Sequence, residues 1–460
     1  MSVRALLGLT AYNLFLLAGG VGVLFGIRGW RSWGELARLG GLAYMLGAAA
    51  TGVLYTLELV AGVPFSFFTI LATGVGLLLA VALIGRRLGR RLPPRPRALR
   101  LPRLSWIAAL FAAISTIYFE ALFRSGRLAG LSEYDAWAFW VPKAKAIYFF
   151  RDLDLGFFQS LPGPSYPPVI PALEAAAFHF MGSADVVTLH LQFWFLFVGF
   201  VAAIVGLLAP RVPTVLLWPS LLLALLTPQI TARVLQPQAD LLLDELVALG
   251  AVLVAIWLNE RRAWQLNAAT LLLACAMLTK REGFLLSACI VAAALAVTVR
   301  DARRVWPHLA LVGIVPALLS LPWRIWFEAH GLASDAPEAG GTGLFHHLDR
   351  AWPSLELTVR DLFGYHLWLV VAPLTIAAMA AALLAGRRAL PLFVGIMLVL
   401  GVAGFTWITW AFPSLPITEN ASVNPITRAV GSLVVVSFGL VPLLLAGAWR
   451  GTAGRAEESA

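Results

Sequence analysis

The chain has 460 residues, of which 60% are hydrophobic and 13% are charged, with a mean hydropathy of +0.84. One water-soluble core could not bury this much apolar surface, so we expect an integral membrane protein. The formal charge of +10 does not indicate nucleic-acid binding, because the basic residues fall in short connectors between apolar runs. Cys275 and Cys289 lie inside apolar stretches without metal-ligand spacing and say nothing about the redox compartment.

Thirteen apolar segments approach the roughly 20 residues that a helix needs to cross the hydrocarbon core. The first is longer than the core of a signal peptide and lacks a small-residue cleavage site before Arg28, so we interpret it as a retained helix. The predicted fold class is an all-α polytopic membrane protein with about 13 transmembrane helices. The segments lie near residues 5–27, 39–60, 64–85, 104–123, 184–208, 214–233, 240–258, 264–279, 284–300, 305–323, 366–385, 390–411 and 427–448.

The connector from Arg86 to Arg103 holds eight arginines among prolines, and the positive-inside rule places it in the cytoplasm. Alternation from there puts 21 basic and five acidic residues inside, and 13 basic and 19 acidic residues outside. The long connectors near 124–183, 324–365 and 412–426 also fall outside. The scarcity of lysine, with three against 31 arginines, is typical of a G+C-rich bacterial genome. We therefore expect a multi-pass protein of the bacterial inner (cytoplasmic) membrane whose chemistry faces outward.

Charged residues are concentrated among aromatic residues in the first long outer connector. The segment SEYDAWAFWVPKAKAIYFF contains Glu133, Asp135, Lys143 and Lys145. Its apolar residues after Asp135 recur at three- and four-residue spacing, which predicts an amphipathic helix at the membrane interface. The alternative is an aromatic anchor with solvated charges. Tyr166 and two prolines follow, and a second short helix is expected to begin near residue 169 unless the segment is a plain rigid connector.

Further ionisable residues lie within or beside apolar segments, where charge is costly and usually serves a function. Asp240 opens the seventh segment and is followed by Asp244 and Glu245, although Asp240 could merely cap its helix. Lys280, Arg281 and Glu282 interrupt an apolar run, either as a simple turn or as ligands. Arg428 follows the polar residues Glu419, Asn420 and Asn424 and would be either a snorkelling anchor or an anion binder.

These features resemble the GT-C superfamily of membrane glycosyltransferases, which includes protein mannosyltransferases and takes sugars from polyprenyl-phosphate donors at the outer face. In that superfamily an acidic residue in the first long outer loop is followed by interfacial helices and a proline-bearing segment, and Asp135, the helix at 143–150 and SYPPVIPALE match in that order. The segments QPQADLLL, LTKREGFLL and NPITRAVGSLVVV are similar to later family features. The resemblance implies a catalytic core at 104–460, preceded in 1–103 by accessory helices and the basic loop.

The resemblance implies a transfer from a polyprenyl-phosphate-linked sugar to a hydroxyl of a glycan, lipid or protein acceptor. Phosphate leaves as a stable anion, so one base and a group of cations are sufficient. We expect Asp135 as the base with Glu133 as the alternative, because the acids read Glu-Tyr-Asp where the family has two adjacent acids. The predicted substrate-binding residues are Lys280 and Arg428 for the phosphate, Lys143, Lys145 and Arg324 as helpers, Asp240 for sugar hydroxyls or a divalent cation such as Mg²⁺ or Mn²⁺, and Glu282 and Tyr166.

Two other classes compete with this interpretation. A lipid-linked sugar transporter or flippase would place ionisable residues near the bilayer midplane and show two related halves. A polysaccharide polymerase, a ligase or an acyltransferase would use arginine or histidine in a large outer loop, and the loop at 324–365 contains His330, His346, His347 and Arg350. Adjacent histidines point about 100° apart on a helix, so His346 and His347 are poor joint ligands for one metal ion.

Overall fold

The computed structural model describes residues 2–94, 105–332, 347–411, 417 and 425–458. Every regular element in these ranges is helical. In chain order the α-helices are α1 (Val3–Ile27), α2 (Trp33–Arg38), α3 (Gly40–Val60), α4 (Phe67–Arg87), α5 (Trp106–Gly126), α6 (Val141–Phe150), α7 (Leu155–Ser160), α8 (Val169–Met181), α9 (Val186–Leu208), α10 (Thr214–Leu225), α11 (Pro228–Val234), α12 (Ala239–Glu260), α13 (Ala263–Thr279), α14 (Glu282–Val297), α15 (Ala302–Ala329), α16 (Ala351–Leu362), α17 (Tyr365–Trp368), α18 (Val371–Leu384), α19 (Ala389–Ala411) and α20 (Pro425–Glu458).

The prediction of a polytopic helical membrane protein is confirmed, but the count of 13 transmembrane helices is not. Within the described ranges, nine helices are long and apolar enough to cross a membrane: α1, α3, α4, α5, α9, α12, α15, α19 and α20. A tenth span would be the pair α10 and α11, which is bent by 66° at Thr227 and Pro228. Each remaining predicted segment falls on a helix, but α13, α14 and α18 have only 17, 16 and 14 residues. These lengths fall short of the roughly 20 residues that span the hydrocarbon core.

Helix α12 lies at the centre of the bundle, and this position explains its composition. Its residues from Ala239 to Leu258 are all buried, and most are leucine, valine or alanine. A helix that is apolar on every side is stable only when other helices or lipid surround it. Helices α4 and α5 are apolar as well but lie largely exposed at the periphery, as expected of helices that face lipid. The few polar groups at the start of α12 are therefore enclosed by protein.

The first two long helices pack into the bundle. Helices α1 and α3 cross closely at Gly20, which permits the approach because it has no side chain. A Cβ atom at this position would overlap the carbonyl of Ala43. The Asn13 amide donates to Gln192 Oε1 at 2.9 Å, and the Gln192 amide donates to the Tyr44 hydroxyl at 3.2 Å. These buried hydrogen bonds join α1 and α3 to α9, so the predicted accessory helices of 1–103 and the core predicted at 104–460 share one interior.

The first long connector contains helices at both predicted positions, and the burial of the second helix differs from expectation. A π-helical turn, Ala136–Trp140, leads into α6, whose predicted apolar residues Val141, Ala144 and Ile147 are buried. Helix α8 begins at Val169 as predicted, but it is buried on almost every side. Apart from Glu174 and His179 its residues are apolar, which favours burial over an amphipathic position.

Contacts among the basic connectors define one end of the bundle, which we call the arginine end. Arg211 pairs with Glu260 at 2.5 Å, and Arg262 lies 3.5 Å from the same carboxylate. The guanidinium of Arg28 lies 5.0 Å from the centre of the Trp264 ring. Through these contacts the connectors after α1, α9 and α12 lie close together, and the sequence predicts all three on one side of the membrane. That this end faces the cytoplasm stays a prediction.

Candidate active site

Five ionisable side chains form one continuous chain of ion pairs at the end of α12 opposite the arginine end. Arg428 Nη1 lies 2.6 Å from Asp135 Oδ2, and Arg428 Nη2 donates to Asp240 Oδ2. Lys280 Nζ lies 2.8 Å from Asp240 Oδ1 and 3.4 Å from Glu282 Oε1. The four residues predicted to converge therefore do so, although they come from positions nearly 300 residues apart.

Each member of this chain lies where a helix begins or is interrupted. Asp135 immediately precedes the π-helical turn, and Asp240 is the second residue of α12. Lys280 lies in the break between α13 and α14, where its extended backbone ends the first helix. Arg428 is in the first turn of α20. These positions place the charged side chains at one end of the bundle, away from the apolar middle of α12, so a buried core and a polar site coexist in one chain.

The capping alternative for Asp240 does not describe its contacts. The N-cap of α12 is Gln238, which makes no side-chain capping hydrogen bond. The carboxylate of Asp240 instead contacts Lys280 and Arg428, so each of its oxygens accepts from a cation. Gln238 Oε1 lies 3.4 Å from Arg428 Nη2 and adds a neutral acceptor. A carboxylate at this depth is tolerable because both neighbouring cations offset the cost of burying it.

Tyr166 encloses the lysine side of the site. Lys280 Nζ lies 5.8 Å from the centre of the Tyr166 ring, which stacks on Phe139 at 5.9 Å with the ring planes 7° apart. Burial raises the pKa of the Tyr166 hydroxyl, although Lys280 opposes the shift. Burial alone would lower the pKa of Lys280, but Asp240 and Glu282 outweigh it and raise that pKa. The site therefore holds a protonated lysine beside a protonated phenol.

A second buried ion pair supports the backbone that bears Arg428, and sequence reasoning missed half of it. Arg233 pairs with Asp244, and its Nη2 donates to the carbonyl oxygen of Arg428 at 2.6 Å. Asp244 also accepts from the Ser432 hydroxyl. Asp244 was recognisable as a carboxylate one helical turn after Asp240. Arg233 was not, because it ends an apolar segment that reads as a continuous span, and the bend between α10 and α11 turns it inward.

A groove adjoins the ion pairs on the side of α14 and α15. It has a volume of about 340 Å³, and Arg281 and Arg324 line it together with the apolar side chains of Trp323 and Phe327. Arg281 donates to the Ser165 hydroxyl, and the guanidinium of Arg324 lies 4.1 Å from the Phe284 ring centre. Arg324 was a predicted helper, whereas Arg281 was seen only as part of a turn. The groove combines cations with an apolar wall.

Besides Tyr166 and Arg324, three predicted residues lie outside the ion-pair chain. Glu133 is exposed two residues before Asp135, and Lys145 is partly exposed on α6. Lys143 is fully buried, donates to the carbonyl of Gly163 and lies 5.3 Å from the centre of the Phe139 ring. Its helical position explains this, since it projects toward the aromatic residues that support Tyr166. Lys143 thus packs against the aromatic residues that support Tyr166.

The residues that would favour other outer-face enzymes lie elsewhere or fall outside the described ranges. His330 Nδ1 lies 2.7 Å from the carbonyl oxygen of Trp326 in its own helix. Arg350 donates to the carbonyl of Thr409 at 3.3 Å, and His347 precedes a 3₁₀ turn. The remaining polar residues of the late connectors, His346, Glu419, Asn420 and Asn424, lie outside the described residues.

The carboxylates of the site contact cationic side chains. Mg²⁺ and Mn²⁺ bind carboxylate and other oxygen ligands. In this site Asp240 accepts from two cations, and Asp135 accepts from Arg428. Within the described residues, no three acidic, histidine or cysteine side chains group together as a metal site. The positive charge available to a substrate comes from lysine and arginine.

In comparisons with known proteins, no protein-family model, no curated protein and no solved structure matches the chain.

Proposed function

We propose that the chain is a membrane glycosyltransferase of GT-C type, which moves a sugar from a polyprenyl-phosphate donor to an acceptor hydroxyl. The observation behind this proposal is the chain of ion pairs from Asp135 through Arg428 and Asp240 to Lys280. It combines a carboxylate near the surface with two cations that a second carboxylate orients. A sugar phosphate needs these groups, because its leaving group is already an anion and requires electrostatic stabilisation more than protonation.

The exposure of the two carboxylates supports different roles for them. The side chain of Asp240 is 5% exposed and holds both cations, whereas that of Asp135 is 19% exposed and contacts Arg428 from the open side. A donor phosphate that binds Arg428 and Lys280 would compete with Asp135 and not with Asp240. Donor binding would therefore release the Asp135 carboxylate and leave the cations aligned. The base becomes available only when a donor is present.

In the transfer step Asp135 accepts the proton of the acceptor hydroxyl. The acceptor oxygen forms a bond to the anomeric carbon as the bond from that carbon to the phosphate oxygen breaks. The polyprenyl phosphate departs with the electron pair, and Lys280 and Arg428 stabilise its charge. Attack from the face opposite the phosphate inverts the anomeric configuration. This step needs no general acid, because the phosphate leaves as an anion, and Asp135 is the base rather than the exposed Glu133 because it contacts Arg428.

The groove beside Arg281 and Arg324 suits the lipid part of such a donor. Its apolar residues lie on helices of the membrane bundle, and Arg281 follows Lys280 directly. A polyprenyl chain could lie against Trp323 and Phe327 while the phosphate reaches the ion pairs. The carboxylate end of the bundle would face outward from the inner membrane, since the arginine end carries the positive-inside signal. A glycan, lipid or protein hydroxyl would then approach from outside.

The proposal is tested by Asp135→Asn, with Glu133→Gln as a matched control two residues away. Membranes containing each variant are supplied with a panel of polyprenyl-phosphate-linked hexoses and pentoses, and released polyprenyl phosphate is measured. We expect Asp135→Asn to slow release at least about 100-fold, the scale of a lost general base, while Glu133→Gln keeps the wild-type rate. Unfolding temperatures of the purified variants show whether both fold. Wild-type release by a folded Asp135→Asn variant, or transport of a donor with its phosphate linkage intact, contradicts the proposal.

A further inference from the structure

A second cavity lies at the arginine end, on the opposite side of the bundle from the candidate active site. It has a volume of about 490 Å³ and is enclosed by the end of α12, the turn between α18 and α19, and residues 443–450 of α20. Its floor is apolar and includes Ile256, Leu390, Leu443 and Leu444. Four arginines surround the opening: Arg211, Arg387, Arg388 and Arg450. The cavity thus joins a cationic rim to an apolar interior.

The charge around this rim is unbalanced. One of the four arginines of the rim, Arg211, pairs with Glu260 at 2.5 Å. In the described part of the chain Arg387, Arg388 and Arg450 make no ion pair, and all three are exposed. Like charges around one opening repel each other, and an anion placed among them would offset that cost. Arginine also binds phosphate with two parallel hydrogen bonds, which a lysine cannot match.

The position of the cavity favours a lipid over a free anion. Its walls belong to α12, α19 and α20, which are long and apolar enough to cross a membrane, and the ends of such spans would lie at the level of lipid head groups. Basic pockets between transmembrane helices recognise anionic head groups in this way. We propose that this cavity binds an anionic phospholipid, with the phosphate among the arginines and one acyl chain along the floor. This site is independent of the proposed transferase activity.

Gly447 offers a way to fill the cavity without removing charge. It lies in the wall of the cavity on α20, and a Cβ atom added to it would meet only Arg387 Cγ, at 3.8 Å. That separation is ordinary van der Waals contact, so the Cβ atom is accommodated and the rest of a leucine side chain can project into the cavity that Gly447 lines. Leucine also has a higher helix propensity than glycine. Gly447→Leu should therefore fold normally, keep all four arginines and occupy the space that an acyl chain needs.

The test uses the purified full chain in detergent and measures binding of phosphatidylglycerol and of phosphatidylcholine from mixed micelles. We expect tighter binding of phosphatidylglycerol, weakened about 30-fold in the double variant Arg387→Gln and Arg450→Gln, at roughly 1 kcal/mol for each arginine. The matched control is the double variant Arg300→Gln and Arg303→Gln, which removes two exposed arginines and should bind like wild type. Gly447→Leu should also bind phosphatidylglycerol more weakly.

Three outcomes overturn the proposal. Equal losses in the two double variants would show that diffuse surface charge, and not the cavity, attracts the lipid. Unchanged binding in Gly447→Leu would show that no part of the lipid enters the cavity, and this variant stays informative if the double variant fails to fold. Inorganic phosphate that binds as tightly as phosphatidylglycerol would identify a free-anion site, because the apolar floor would then contribute nothing.

Discussion

The buried pair of Arg233 and Asp244 allows a quantitative test of how charge is balanced beneath the candidate site. Their side chains are 5% and 1% exposed, so neither charge is screened by solvent. Removing one partner of such a pair leaves an unpaired buried charge and costs about 3–5 kcal/mol. We expect Asp244→Asn and Arg233→Gln each to lower the free energy of unfolding by this amount. The measurement is denaturant-induced unfolding of the purified protein in micelles.

The double variant separates the charge effect from the loss of packing. With both charges removed, two amides remain that can hydrogen-bond to each other, so its loss should fall short of the sum of the single losses by about 2–3 kcal/mol. The control is the pair of Arg124 and Glu120 on α5, whose side chains are 70% and 50% exposed. Exposed pairs of this kind contribute about 0.2–1 kcal/mol. Additive losses at Arg233 and Asp244, or single losses no larger than those of the surface pair, would refute the reasoning.

Three further predictions concern other parts of the molecule. Burial alone would raise the pKa of Glu35, but its hydrogen bonds and the charge of Arg28 outweigh burial and lower it. Glu35→Gln should therefore lower the unfolding temperature at pH 7. This deficit should begin to shrink as the pH falls below the ordinary carboxyl pKa of 4.5, and it should disappear only below the lowered pKa of the folded state, where the wild-type carboxylate is protonated. A pH-independent deficit would exclude this linkage. Gly47→Leu should prevent stable folding, because its side chain would overlap the carbonyl of Leu16. The control Gly76→Leu should be tolerated, because the space around Gly76 is open. Similar unfolding temperatures of the two variants would contradict the close crossing of α1 and α3. A chelator such as EDTA should leave polyprenyl phosphate release unchanged, since lysine and arginine supply the charge, and restoration of a lost rate by Mg²⁺ would oppose this.

The convergence of the ion-pair residues could be predicted because each is conspicuous in its surroundings. Asp240, Lys280 and Arg428 are ionisable residues beside long apolar runs, and the cost of placing charge there favours a shared polar site. Asp135 stands out for the same reason among aromatic residues. Their contacts join them as expected, although the chemistry that they perform stays a prediction.

Other parts of the structure could not be predicted because the composition of a segment does not show where each side chain points. Lys143 has the same sequence signal as Lys280, but its helical position directs it to aromatic rings. Arg233 was hidden because the bend at Thr227 and Pro228 is not apparent in a run of apolar residues. The predicted number of 13 spans is not confirmed, because hydropathy does not distinguish a helix buried among other helices, such as α13, from one that crosses lipid.

The hydrogen bonds between Asn13, Tyr44 and Gln192 have a consequence for biosynthesis. The N-terminal helices leave the ribosome first, and the amide of Asn13 then lacks the partner that α9 supplies 179 residues later. Until that helix arrives, Asn13 still donates to the carbonyl of Leu9 and accepts from Tyr44, but its second N–H lacks a partner in the lipid, which costs several kcal/mol. The early helices are thus completed only when a much later part of the chain inserts, and a nascent chain interrupted before residue 192 would be a substrate for membrane quality control.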